Sequence, residues 1–222
     1  MRANLHSRKN IRLKWFELKD ISFEIKRKLE ISYSTSTVEN NINNFSPLME
    51  YNFKGGKDIP QSDIIIFENG LPAAYAKTVG SKGDKFSTEP QLDPIVNIKD
   101  RIVELSKGKE TISREPPTYP NPRVKEIEIR DREDSIKRKI TFENDSTERI
   151  EFFELKLIET KDVRFTNSSP EPNKRDPPEY LWNFSINPEE AFSIELEFQT
   201  HIRKTFEIEK EPPSNRDRDR AH

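Results

Sequence analysis

The chain has 222 residues, a formal net charge of −2, 35% charged and 32% apolar residues, and no cysteine. That length admits one large or two small domains, each with a core. The near-neutral charge supplies no global field toward nucleic acid or an anionic membrane, and the missing thiols remove disulfides, thiolate metal sites and cysteine nucleophiles.

Apolar content is low, yet Ile, Leu, Val and Phe together still exceed the roughly 20% below which a core fails. With 23 Ile and 14 Phe against 12 Leu and 6 Ala, the bias is toward sheet.

Residues 1–10 read as a flexible N-terminus. It is basic but lacks the apolar stretch of about 7 to 15 residues of a secretory signal, and no run approaches the roughly 18 apolar residues of a membrane span. A cytoplasmic location is therefore expected, and the sequons at Asn144, Asn167 and Asn183 read as chance matches. Arg8, Lys9, Arg12 and Lys14 beside Trp15 and Phe16 form a pairing that can bind single-stranded nucleic acid. Because acids outnumber bases overall, the simpler reading is a first strand flanked by cations, and nucleic acid is not expected as a partner.

Residues 11–107 read as a β-rich first unit. Phe16 and Leu18, then Ile21, Phe23 and Ile25, then Leu29, Ile31 and Tyr33 give strands broken by short polar steps. Ile64 to Phe67 and Leu71 to Val79 flank Glu68-Asn69-Gly70, a hairpin with Asn-Gly at its tip. Ile95 to Leu105 fits a helix or a strand by spacing, and Pro94 favours the strand.

All six glycines lie between Gly55 and Gly108, so the rest of the chain turns on Pro, Asn and Asp. Residues 108–123, with Pro116, Pro117, Pro120 and Pro122, read as a Pro-rich linker between domains. Beyond it, residues 124–209 alternate with period two: Ile127 and Ile129; Ile136, Ile140 and Phe142; Ile150 and Phe152, passing into Phe153, Leu155 and Leu157; Val163 and Phe165; Tyr180, Trp182, Phe184 and Ile186; Phe192, Ile194, Leu196 and Phe198; Phe206 and Ile208. Such runs are strands with one wet face. The phase change at Phe152 and Phe153 predicts a β-bulge or a change of partner sheet.

Asn144-Asp145-Ser146 and Asn187-Pro188-Glu189 predict turns, and Asn167 to Glu179 a long surface loop or crossover. Residues 210–222 read as a disordered charged tail. The fold class is all-β: two β-sandwich-like units, the second immunoglobulin-like with about seven antiparallel strands.

The segments IPQSDIIIFENGLPAAYAKTV, LDPIVNIKDRIVEL, KRKITFENDSTERIEFFEL and EYLWNFSINPEEAFSIELEF together resemble the C-terminal β-sandwich domain of the mucoidy inhibitor A family, over roughly Met49 to Ile208. The chain departs from that family in lacking a heptad run and in turning with Asn187-Pro188-Glu189 instead of glycine. The resemblance implies a sandwich fold and an accessory or envelope-related role, with no catalytic residues to carry over.

Chemistry-bearing patterns are sparse. The histidines are His6, His201 and His222, with no spacing suited to zinc. His201 reads as a surface or half-buried strand residue. Gly80-Ser81-Lys82-Gly83-Asp84-Lys85 lacks the spacing of a phosphate loop and reads as a hairpin connection. Glu189-Glu190 and Asp131-Arg132-Glu133-Asp134 read as solvated turns, since calcium wants a wrapped loop of oxygen ligands. Trp182, in phase with Tyr180 and Phe184, reads as a core residue.

No catalytic, cofactor or metal residue is expected. The chain reads as a non-enzymatic scaffold or protein–protein interaction module, acting through strand edges or the Asn167–Glu179 loop. The alternative is a carbohydrate or cell-envelope-associated binding module. The residues that meet the partner are not named by the sequence.

Overall fold

A computed structural model of the chain describes residues 22–54, 59–68, 71–117 and 123–210. Its elements are β1 (Ser22–Ser32), α1 (Thr35–Val38), β2 (Ile42–Asn44), β3 (Leu48–Lys54), β4 (Asp63–Glu68), β5 (Leu71–Lys82), β6 (Lys85–Thr88) and β7 (Gln91–Leu92). There follow β8 (Val96–Ser106), β9 (Thr111–Glu115), β10 (Val124–Asn144), β11 (Ile150–Ile158), β12 (Val163–Ser169), β13 (Lys174–Asp176), β14 (Glu179–Ile186) and β15 (Ala191–Glu209). Among the described residues the protein is all-β apart from the single turn of α1, whose Ser34 cap accepts from the Thr37 amide. Among the described residues no helix is long and apolar enough to cross a membrane.

The chain divides into unit 1, Met1–Lys26 with Met49–Gln91, and unit 2, Arg27–Leu48 with Leu92–His222. Unit 2 is the sandwich. One layer runs β13, β14, β11 and the second part of β1; the other runs β12, β15, β10, β8 and β2, with β9 also on β10. Alternation places Leu29, Ile31, Phe153, Leu155, Leu157, Tyr180 and Trp182 on the inner face of the first layer. Ile98, Ile136, Ile140, Phe142, Phe165, Ile194, Leu196 and Phe198 face them from the second. Trp182 is buried, edge-on to Phe165 at 5.9 Å, and its indole N–H donates to the Pro170 carbonyl at 3.0 Å. Burying a large ring while satisfying its one donor suits a core position.

The phase change at Phe152 and Phe153 is a bulge: the β11–β14 register shifts between Ile150 and Phe153. Phe152 is thereby exposed and Phe153 enters the core. From Phe153 onward β11 also pairs with β1 in parallel, Arg27 opposite Phe153 through Ser32 opposite Ile158. The two predicted turns are tied together by Asn144. Its buried side-chain amide donates to the carbonyls of Glu148, Ile186 and Asn187, while Oδ1 accepts from the amide and hydroxyl of Ser146. Glu189 takes the positive φ of 55° that the second turn needs.

Several expectations are corrected. The seven runs of 124–209 form five strands, and a sixth, β13, carries none of them. Ile127 to Phe142 is one strand, β10, and Phe192 to Ile208 is one strand, β15, paired along nearly their whole length. The Asn167–Glu179 stretch is not a free loop: β12 continues to Ser169 and β13 pairs with β14. Leu29, Ile31 and Tyr33, and also β8, were expected in a first unit ending at 107, but they belong to the sandwich. The Pro-rich segment is no domain boundary, because β9 continues the line of β8 along β10, Ser113 opposite Ile129 and Leu105 opposite Ile136. Pro116 and Pro117 follow β9, and Pro120 and Pro122 lie outside the described residues. The join between β8 and β9 is tight: a Cβ on Gly108 would overlap the Glu133 carbonyl.

In unit 1 the order is β1, β3, β6, β5, β4. Phe23, Tyr51, Phe53 and Phe86 cluster, with Phe53 and Phe86 stacked at 4.6 Å. The expected Asn-Gly hairpin is present as β4 and β5, with Glu68 opposite Leu71, although Asn69 and Gly70 themselves lie outside the described residues. So do the expected strand residues Phe16, Leu18 and Ile21, the flexible 1–10 segment, the basic stretch Arg8 to Phe16, and tail residues 211–222. At the boundary of the inserted segment the Asp93 amide donates to the Pro47 carbonyl at 2.9 Å, and Arg27 Nε donates to the buried Asp93 carboxylate at 2.9 Å.

Removing the turn-joining amide takes one donor from each of three carbonyls, of which Glu148 keeps the Ser146 hydroxyl at 2.9 Å and Asn187 keeps the Glu190 amide at 3.3 Å. Asn144→Ala is expected to lower unfolding free energy by about 2–3 kcal/mol. The check is urea denaturation, with the midpoint falling and the slope unchanged.

Candidate functional site

The β4–β5 hairpin carries the most exposed apolar surface of unit 1. Ile65 stands opposite Tyr75 and Asp63 opposite Lys77; past a register shift after Ile66, Phe67 stands opposite Pro72. Opposed residues share a face, so Ile65, Phe67 and Tyr75 form one outward row. Tyr75 is 73% and Phe67 59% exposed, and Leu71 and Val79 are exposed too. Ile64 and Ile66 turn to the other face and are half-buried. A groove of about 620 Å³ runs beside the row, with Asp63, Ile65, Tyr75, Lys77, Glu89 and Gln91 in its walls. The Gln91 side-chain nitrogen is buried there without a hydrogen-bond partner.

The hairpin is held from behind. The buried Thr78 hydroxyl accepts from the Ser62 amide and donates to the Pro60 carbonyl, both at 2.9 Å. Ser81 Oγ accepts from the Ile59 amide at 3.0 Å. Gly80, at φ 86°, sits in the irregularity that separates Thr78 from Ser81 in the β5–β6 register. Among the described residues β4 pairs only with β5, so its other edge is unpaired backbone.

Unit 2 contains a buried polar centre. Arg138, fully buried, donates through Nε to both oxygens of buried Asp100 at 2.9 and 3.1 Å. Through Nη1 it donates to the carbonyls of Val38 and Asn40, each at 2.7 Å. The Tyr33 hydroxyl and the Asn43 amide complete the Asp100 shell, both at 3.0 Å. Burial first, then the charge of Asp100, raises the Tyr33 hydroxyl well above its ordinary pKa.

Every group here is used internally except Arg138 Nη2. The centre binds the 33–43 segment to the sandwich and offers no open face. Phase was the signal for it: Arg138 lies in step with Ile136 and Ile140, and Asp100 with Ile98.

His201 lines a second groove, of about 520 Å³, with Glu39, Asp162, Arg203 and Lys204. Its Nε2 lies 3.4 Å from Asp131 Oδ1. Ser36, also on this groove, is hydrogen-bonded to the Ser34 hydroxyl at 3.0 Å. The side chain of His201 is half exposed, as read from the sequence.

Asp131 to Asp134 is not a turn but mid-strand in β10, a correction. Asp134 is buried and accepts from the Gly108 amide and from Arg132 at about the same distance, 3.0 Å. The Gly80–Lys85 segment is the β5–β6 hairpin connection, Lys82 opposite Lys85. Glu189 and Glu190 do form the β14–β15 turn. Among the described residues no group of three or more His, Asp and Glu is arranged to hold a metal ion.

No family model, curated protein or solved structure matches the chain.

The buried centre sets two expectations. Arg138→Met, which strands the Asp100 charge, costs about 3–5 kcal/mol, whereas Arg138→Met with Asp100→Leu costs less than the two single changes added together. Because Tyr33 ionises less readily folded than unfolded, its contribution is present below pH about 10 and is lost as pH rises above that. Urea titrations from pH 8 to 11 are expected to show a steeper alkaline decline for the native chain than for Tyr33→Phe.

Proposed function

We propose that the chain is a non-enzymatic β-sandwich scaffold whose unit 1 docks a protein partner on the β4–β5 hairpin. The observation that carries this reading is an imbalance. Among the described residues of unit 1 the only buried apolar side chain is Tyr51, while Ile65, Phe67, Leu71, Tyr75 and Val79 are exposed. A sheet gains stability by burying one face against another element, and contiguous exposed apolar surface marks an interaction site. An open edge beside that surface offers backbone donors and acceptors to an added strand.

The charge pattern describes the guest. β4 reads DIIIFE, with acids at both ends. A second β4 laid antiparallel would bring Asp63 toward Glu68 of the other copy, acid against acid. An extended segment with an apolar centre and Lys or Arg at its ends is complementary. The resemblance to the mucoidy inhibitor A sandwich domain implies an accessory or envelope-related role and is itself part of this proposal.

A second reading, a carbohydrate-binding module, draws on Tyr75 beside a groove that holds Asp63, Glu89 and the unpartnered Gln91 amide. An exposed ring with nearby amide and carboxylate groups can stack and hydrogen-bond a sugar.

The test presents the full chain to arrayed extended peptides and to arrayed glycans. Retention of apolar-centred, basic-flanked peptides, lost in Ile65→Asp and in Tyr75→Asp, is the expected result. Glycan retention lost in Tyr75→Ala and Gln91→Ala, with no peptide retained, replaces the protein reading with the carbohydrate one.

A further inference from the structure

Unit 2 has its own open edge, and its chemistry differs from that of β4. β15 pairs with β10 from Ala191 to Glu209. On its other side β12 covers it only from Glu195 to Thr200, after which the His201 amide donates to the Asp162 carbonyl at 3.0 Å. From Ile202 to Glu209 no strand lies on that side among the described residues. These eight residues read IRKTFEIE. Phe206 is 44% exposed, with the Arg130 guanidinium 5.0 Å from its ring centre.

An edge of this length invites another strand unless something blocks it, and charges are the usual block. Here their order does the opposite. The bases Arg203 and Lys204 come first and the acids Glu207 and Glu209 last, so the edge is complementary to itself when reversed. Antiparallel pairing about a two-fold axis through Phe206 sets Arg203 of each copy opposite Glu209 of the other and Phe206 opposite its own counterpart. Thr205 then faces Glu207, and Lys204 faces Ile208. Parallel pairing in register would stack base on base and acid on acid. Opposite-charge and aromatic cross-strand pairs favour the pairing, and like-charge pairs oppose it.

We infer that the exposed edge of β15, Ile202 to Glu209, is a self-association site that takes a second copy of this chain, antiparallel and centred on Phe206. The interface is isologous, so it closes at two chains instead of propagating. Seven paired residues on each copy, Arg203 to Glu209, place it among small interfaces, and the dimer is a reversible one. The β4 edge, with acids at both ends, takes no part in it.

The experiment is sedimentation of the full chain over a range of concentrations, with charge-reversal variants and a thiol probe. The native chain is expected to show a monomer–dimer equilibrium. Arg203→Glu and Glu209→Arg, each of which makes two like-charge pairs, are expected to weaken it about tenfold. The double variant Arg203→Glu with Glu209→Arg restores it.

The chain has no cysteine, so Phe206→Cys introduces a single thiol, which the two-fold places opposite its counterpart within disulfide reach. Mild oxidation is expected to give a covalent dimer with Phe206→Cys and far less with Leu71→Cys on the unit 1 hairpin. A chain that stays monomeric at all concentrations and does not cross-link at position 206 overturns the inference. So does a dimer indifferent to both single reversals, or one abolished by Ile65→Asp and not by Arg203→Glu; that last outcome would move self-association to the hairpin.

Discussion

One buried ion pair fixes how the sandwich is put together. Moving Arg138 and Asp100 out of water costs several kcal/mol for each ion, offset by their attraction and by the hydrogen bonds that answer all but Nη2 of their remaining groups. The answer comes from residues far apart in sequence: Tyr33 and Asn43 on the acid, and the Val38 and Asn40 carbonyls on the base. The segment from Tyr33 to Asn43 therefore cannot leave the sandwich without stranding two charges. A lysine could not replace the arginine, because one ammonium cannot address a carboxylate and two carbonyls in a planar fork. The parallel strand β1 and the short strand β2 follow from this, since they lead into and out of that segment.

Much of the fold was legible because its strands have one wet face. Period-two runs in β10, β11, β14 and β15 named most of the core, with Phe206 at the end of β15 exposed instead, and Trp182, the bulge at Phe152 and Phe153, and the Asn144 turn were placed by local pattern alone. What alternation cannot carry is partner choice. Nothing in Leu29 or Ile31 announces a parallel neighbour more than a hundred residues away, so the second part of β1 was assigned to the wrong unit. Proline was also over-read: Pro116 and Pro117 mark the end of β9 and the turn into β10, which is as compatible with proline as a linker is. The inward charges were hidden by habit, because Arg138 and Asp134 occupy core phases in a strand whose other polar residues face water.

The candidate surfaces were less legible than the core. Ile65, Phe67 and Tyr75 alternate in the same way as buried residues do, and only the absence of a facing layer in the described part of unit 1 shows them to be outward. The two open edges make a related point. Both present the same backbone groups, so the backbone settles that a strand can be added. The order of the charges settles which strand, because specificity arises as much from what a charge pattern repels as from what it attracts.

The Asp93–Pro47 hydrogen bond has a further meaning for how this chain is organised. It fastens together the point where the chain leaves the sandwich and the point where it returns, using sandwich atoms alone, with Arg27 bracing the same spot. The residues between are thus an excursion with a sealed neck. They reach the sandwich through that neck and through β1, which runs from one unit into the other, and a longer loop among them costs about 0.6 kcal/mol for each doubling. The sequence beyond the neck is free to lengthen, shorten or change its binding chemistry over generations while the host layer pair keeps its register.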